Sequence, residues 1–129
     1  MSKHPVSTDA AAQPLGAYSQ AWRAGDFVFV AGVAPIDPAT GAVQRGGLAE
    51  QTHRVLDNMT AVLAAEAADL DDVVKMNVYL ANADDWADFN QAYADRLSAP
   101  YPARTSVQAG IPLTGMLVEM DCIAYVERG

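Results

Sequence analysis

The sequence predicts an α+β fold, with two helices laid on one face of a sheet. Three observations carry this. "VVKMNVYL" and "MLVEMDCIAYV" each present one apolar parity at the period of a half-buried strand. Two other stretches repeat their apolar residues at helical spacing. The elements follow one another in the order β-β-α-β-α-β-β, separated by proline- and glycine-rich punctuation.

The first two strands read as a hairpin, Ala17–Trp22 and Asp26–Ala31, rich in aromatic and β-branched residues and joined by Arg23-Ala24-Gly25. "PIDPATGAVQRGG" is then a long loop, broken up by Pro35, Pro38, Gly41, Gly46 and Gly47. From Leu48 to about Ala68, Val55, Leu56, Met59, Val62 and Leu63 recur as on one face of a helix. The next strand sets Val74, Met76, Val78 and Leu80 on one side and Lys75, Asn77 and Tyr79 on the other. "DDWADFNQAYADRL" returns to helical spacing, with Trp86, Phe89, Tyr93 and Leu97 in one stripe. Its leading aspartates suit the positive end of a helix dipole.

Pro100 and Pro102 end that helix, and Arg104–Ala109 resumes as a strand. After a turn near Pro112–Gly115, the last strand puts Met116, Val118, Met120, Cys122, Ala124 and Val126 on the face that the helices must cover. Lys75, Asn77, Tyr79, Arg104, Ser106, Glu119 and Asp121 are then expected together on the opposite face. That face is too polar for a second dry core and too rich in Tyr, Leu and Ile for plain solvent surface. It suits packing against copies of the chain, with polar clefts left between them.

The length of 129 residues fits one domain, 1–129, with no internal repeat or linker. The formal charge of −8 and the scattering of the eight Lys and Arg exclude a basic patch for nucleic acid or anionic lipid. No stretch approaches the roughly 20 apolar residues of a membrane span. "MSKHPVSTDAAAQPLG" lacks the apolar run of a secretory signal and reads as a loose tail containing His4. The expected location is the cytoplasm. The one cysteine, Cys122, falls on an apolar parity and is expected in the core. His53 stands alone on a helix, so neither a metal cluster nor a catalytic triad is expected.

Arg104 opens a short strand between two prolines and the alternating Ser106 and Gln108. Such a cation either bridges to Glu119 or Asp121 on a neighbouring strand or anchors an anionic ligand. Glu119 is a candidate acid–base group or a solvated carboxylate. Asn90 is a candidate ligand or a cap for a neighbouring backbone group.

Four motifs in order, "LGAYSQ", "FNQAY", "YPARTSV" and "VEMDCIAYV", resemble the RidA/YjgF/UK114 family over nearly the whole chain. The resemblance implies a chorismate-mutase-like subunit with a mixed sheet, a homotrimer, and active sites in clefts between subunits. It implies cofactor-free hydrolysis of reactive enamines and imines, chiefly 2-aminoacrylate and related 2-imino acids released by pyridoxal-phosphate enzymes. Arg104 falls where the family grips the substrate carboxylate and Glu119 where it handles the water. Tyr18 and Asn90 fall on further family positions, and Ser106 stands where Cys is common. Ala17 replaces a proline, and Ala31 and Val33 stand where the family often has Ser and Gln. Rival readings of the same fold are a non-catalytic module for small carboxylates such as 2-oxo acids, and an enzyme for a larger imine.

The chemistry fits the residue types. A guanidinium binds a carboxylate through two parallel hydrogen bonds, fixing position and orientation together. A carboxylate can take the proton of an attacking water and return it to a departing nitrogen. Tyr18 is a binding residue in this reading, and backbone groups around Ser106 hold the substrate nitrogen.

Overall fold

A computed structural model of the chain describes residues 2–127. Arg128, one of the scattered cations, lies outside the described residues. Six strands form one mixed sheet: β1 (Lys3–Val6), β2 (Ala21–Ala24), β3 (Phe27–Val33), β4 (Val73–Leu80), β5 (Ala103–Gln108) and β6 (Val118–Tyr125). Their spatial order is β1-β2-β3-β6-β4-β5. Every neighbouring pair is antiparallel except β4 and β5. The helices α1 (Leu48–Ala64) and α2 (Trp86–Ala94) pack on one face, as the alternation and helical stripes require.

The predicted inward parity of β6 is the observed one: Val118, Met120, Cys122 and Ala124 are buried. Val55, Leu56, Met59 and Leu63 of α1 meet them, with Phe89 of α2 and Met76 and Val78 of β4. Burial in this core pushes the Cys122 thiol up to about 12, so it stays protonated as a small apolar group. Truncating one of these buried leucines or methionines removes about 2–5 kcal/mol of stability. No described helix is long and apolar enough to cross a membrane.

Several boundaries differ from the sequence expectation: α2 ends at Ala94, ahead of Pro100, β6 begins at Val118, and three other segments change. The N-terminal segment is not loose: Lys3–Val6 pairs with β2 as the sheet edge, and His4 Nε2 lies 3.0 Å from Glu66 Oε1. Only Val6 of that strand is buried, so it shows no alternation, and Pro5 is tolerated because an edge strand needs no donor on its outer side. The first hairpin is shifted. Residues 17–20 are not strand, β2 begins at Ala21, and β3 runs on to Val33 through an irregularity between Val30 and Val33. The first helix stops at Ala64, and Ala67 takes a left-handed turn with φ of 56°.

Candidate functional site

The pairing of β5 with β4 decides where Arg104 points. Arg104 is opposite Met76 and Ser106 opposite Val78, two residues with no exposed surface on the helix-covered side. Residues directly opposite each other in a ladder share a face. Arg104 and Ser106 therefore lie under α2, not on the open face with Glu119 as the sequence suggested. In "ARTSVQ" polar residues occupy both parities, so alternation alone does not choose between them.

What holds Arg104 there is one face of α2. Its guanidinium carbon lies 5.3 Å from the Trp86 ring centroid, 5.4 Å from Phe89 and 4.8 Å from Tyr93. The spacing 86, 89, 90, 93 stacks these side chains on a single helical face, and their ring faces attract a cation. Asn90 is the fourth member: its Oδ1 accepts from Arg104 Nη2 at 2.6 Å. Among the described residues no carboxylate lies within ion-pair distance of Arg104. The bridge to Glu119 or Asp121 is thus not made. Ser106 Oγ and Tyr93 Oη are both buried without a hydrogen-bond partner. Ser106 borders a recess with Leu80, Trp86 and Gln108.

Glu119 belongs to a second constellation. It is opposite Tyr79 on β4, on the open face, with Asp121 opposite Asn77 one pair further on. Asp121 is pinned as an acceptor by Asn77 Nδ2 at 2.8 Å and Tyr79 Oη at 2.7 Å. Burial raises the proton affinity of Glu119, and the Asp121 carboxylate raises it further. The ladder between β3 and β6 skips Ala31 and Gly32, and this brings Gly32 against Glu119. A β-carbon at Gly32 would sit 2.7 Å from Glu119 Oε1, so only glycine leaves the carboxylate its place. Leu15, Tyr18, Ala31, Leu113 and Met116 complete a recess of roughly 500 Å³ around it.

Three buried amides tie down the segments flanking that recess, and sequence reasoning missed all of them. Gln20 bonds both backbone groups of Thr8 and the carbonyl of Ala12. Asn58 accepts from Ala12 N and donates to the carbonyls of Ala34 and Ile36. Gln51 donates to Gly115 O at 2.8 Å and accepts from Leu117 N at 2.7 Å. Gly115 allows that turn by taking a φ of +87°. The signal was present: Gln51, Val55, Asn58 and Val62 recur at helical spacing, which puts two amides in an apolar stripe.

The side chains thus form two separate clusters, and neither contains both Arg104 and Glu119. Arg104, Asn90 and Ser106 are together at α2 and β5. Tyr18, in the segment before β2, and Glu119, on β6, line one recess together. No group of three His, Cys, Asp or Glu among the described residues is placed to hold a metal ion.

Residues 8–126 match the family model described as Endoribonuclease L-PSP. A RutC family protein of Pyrococcus abyssi is 43% identical over 127 residues, covering 98% of this chain and 100% of that protein. Reactive Intermediate Deaminase A, chloroplastic, of Arabidopsis thaliana is 41% identical over 125 residues, covering 96% of this chain and 66% of that protein. The chain belongs to the RidA/YjgF/UK114 family. The crystal structure of RidA from Psychrobacter sp. PAMC 21119 superposes with a TM-score of 0.91 at 37% identity, covering 95% of this chain and 99% of that one. Escherichia coli TdcF, solved with bound serine, gives a TM-score of 0.87 at 27% identity and covers 95% and 98%. The two-helix, mixed-sheet subunit is thus the fold of the RidA family.

Proposed function

We propose that this RidA-family chain hydrolyses reactive enamine and imine intermediates, 2-aminoacrylate and other 2-imino acids, to 2-oxo acids and ammonia. Its sites are assembled between copies of the chain, in a homotrimer. The observation that carries this is Arg104, a cation set in an aromatic cradle, steadied by one amide and paired with no carboxylate among the described residues. Because Glu119 faces the other side of the same sheet, a neighbour must supply it. A closed ring of copies gives every chain's Arg104 half a neighbour's Glu119 half. The exposed rings of Trp22, Phe27 and Phe29 on the open face support burial against a copy.

In this reading the fork of Arg104 binds the substrate carboxylate, and Asn90 fixes the plane of the guanidinium. Glu119 from the neighbour takes a proton from water as its oxygen bonds to the imine carbon. The imine enters protonated, so as the π pair of its C=N bond moves to nitrogen it leaves a neutral amino group on the carbinolamine. The Glu119 carboxyl group then returns its proton to that nitrogen. The C–N bond breaks, ammonia leaves, and the hydroxyl proton is released as the carbonyl forms. Ser106 Oγ supplies a hydrogen bond to the nitrogen, and Tyr18 closes the recess. Only protons and one C–N pair move, so the chemistry calls for no cofactor. General acid–base catalysis contributes about 10²–10⁴-fold. A raised proton affinity suits Glu119 to both halves of the cycle. The cytoplasm, where pyridoxal-phosphate enzymes release such intermediates, is the compartment that fits.

A second reading is a binding module for small amino or oxo acids, favoured by the serine held in TdcF. RNA cleavage, named in the family model's description, is disfavoured by a charge of −8 and scattered cations.

The test is to generate 2-imino acids in situ with an amino-acid oxidase and follow their loss. Native protein should accelerate it and Arg104→Ala should not. No acceleration by the native protein overturns the deaminase. If a 2-oxo acid nevertheless raises the melting temperature, the binding module stands in its place.

A further inference from the structure

We infer that the preferred substrates are 2-imino acids with apolar side chains of about four heavy atoms or more. Their side chain would be housed between the Leu15–Tyr18 turn and the Ala31–Ala34 segment. This rests on the deaminase reading and narrows it.

The direction of the side chain follows from the trigonal carbon under attack. Its carboxylate goes to Arg104 and its nitrogen to Ser106, both on one copy. The third substituent must then point at the wall around Glu119 on the other. That wall is apolar: Leu15, Ala31, Ala34, Leu113 and Met116 line it, and its polar groups are Glu119 and Tyr18. The Tyr18 oxygen already accepts from Leu15 N at 3.2 Å.

Next to the recess lies a narrower, partly open space of about 40 Å³, which shares Leu15, Tyr18, Ala31, Gly32 and Ala34 with it as lining. A single water needs about 10–15 Å³ on that measure, so the narrower space takes a branch of two or three heavy atoms. Ala11, Val33, Ile36 and Val62 surround it. Its two buried amides, Asn58 and Gln20, are engaged with backbone groups. Gln13 Nε2 is engaged as well, with the carbonyls of Thr8 and Ala11. The Tyr18 hydroxyl hydrogen and the carbonyl of exposed Gln13 are the side-chain polar groups left, and no charged group lines the space, whereas methyl and methylene groups lose water on entering. A few added carbons in such a pocket raise specificity by at least about tenfold.

The experiment measures kcat/KM for imines generated from leucine, methionine, alanine and serine. It also measures calorimetric affinity for 4-methyl-2-oxopentanoate against pyruvate. Leucine- and methionine-derived imines should exceed the other two by at least about tenfold, and the longer oxo acid should bind tighter by a similar factor. Ala34→Leu, which fills the shared wall, should bring the leucine-to-alanine ratio towards one. Equal or inverted ratios in native protein, with Arg104→Ala inactive on every imine, overturn this inference and leave the deaminase reading intact. Equal affinities for the two oxo acids overturn it independently of turnover. No turnover together with a clear preference for the longer oxo acid would instead support the pocket and remove the deaminase.

Discussion

Arg104 and Glu119 lie on opposite faces of one sheet, two strands apart, with β4 between them. Two strand spacings are about 10 Å across the sheet, and the sheet itself separates the side chains. Any chemistry that uses both draws them from different copies of the chain. The single chain carries two separate clusters, one aromatic and cationic, the other apolar with one carboxylate.

Gly32 is where the second cluster is most easily tested. A β-carbon there would meet Glu119 Oε1 at 2.7 Å and Cδ at 3.3 Å. The carboxylate must swing aside, and displacing a catalytic group by an ångström costs about a hundredfold in rate. Gly32 is exposed, so Gly32→Ala should melt close to native while kcat/KM falls by about that factor. Full activity in the variant would remove Glu119 from the mechanism.

Glu119 also makes a prediction about stability. Burial raises its proton affinity above that of the unfolded chain, with Asp121 adding to it. The folded state therefore holds the proton more tightly. The associated stability is fully present below the unfolded carboxylate value and is lost as pH rises through the raised one. Glu119→Gln cannot ionise and escapes that loss. Its melting temperature relative to native should rise between pH 4 and pH 7, while turnover drops by about a hundredfold or more. Parallel melting curves across that interval would show that the carboxylate is not strained by its surroundings.

Asn58 holds the wall from inside. It is 2% exposed and satisfies three backbone groups on two loops. Asn58→Ala leaves those groups buried and unpaired, at a cost of about 3 kcal/mol. Denaturant unfolding should show a lower midpoint with an unchanged slope. A loss under about 0.5 kcal/mol would mean that water replaces the amide without penalty.

Much of this was legible in the residues. The inward parity of Val118, Met120, Cys122 and Ala124 showed which face the helices cover, because burial of one face leaves a strand no freedom of register. Met116, of the same parity, precedes the strand and lines the recess around Glu119. The stripes of α1 and α2 were equally plain. Arg104 was placed on the wrong face because its strand is short and polar on both parities. The aromatic rings of α2, not alternation, turn it inward. The edge strand Lys3–Val6 escaped notice because it has one buried side chain and takes its shape from β2. Gln51 and Asn58 were visible as amides in an apolar stripe, but the loops they hold are set only by tertiary contact.

The division of the site between copies is tested most directly by complementation. Arg104→Ala and Glu119→Gln chains are each assayed for imine hydrolysis, then unfolded together in equal amounts and refolded. Each variant alone should be inactive. In the mixture every site draws one half from each of two chains at random, so about a quarter of the sites regain both groups and about a quarter of native activity returns. A mixture as inactive as its components, made from variants that fold and assemble normally, would contradict a site shared between copies.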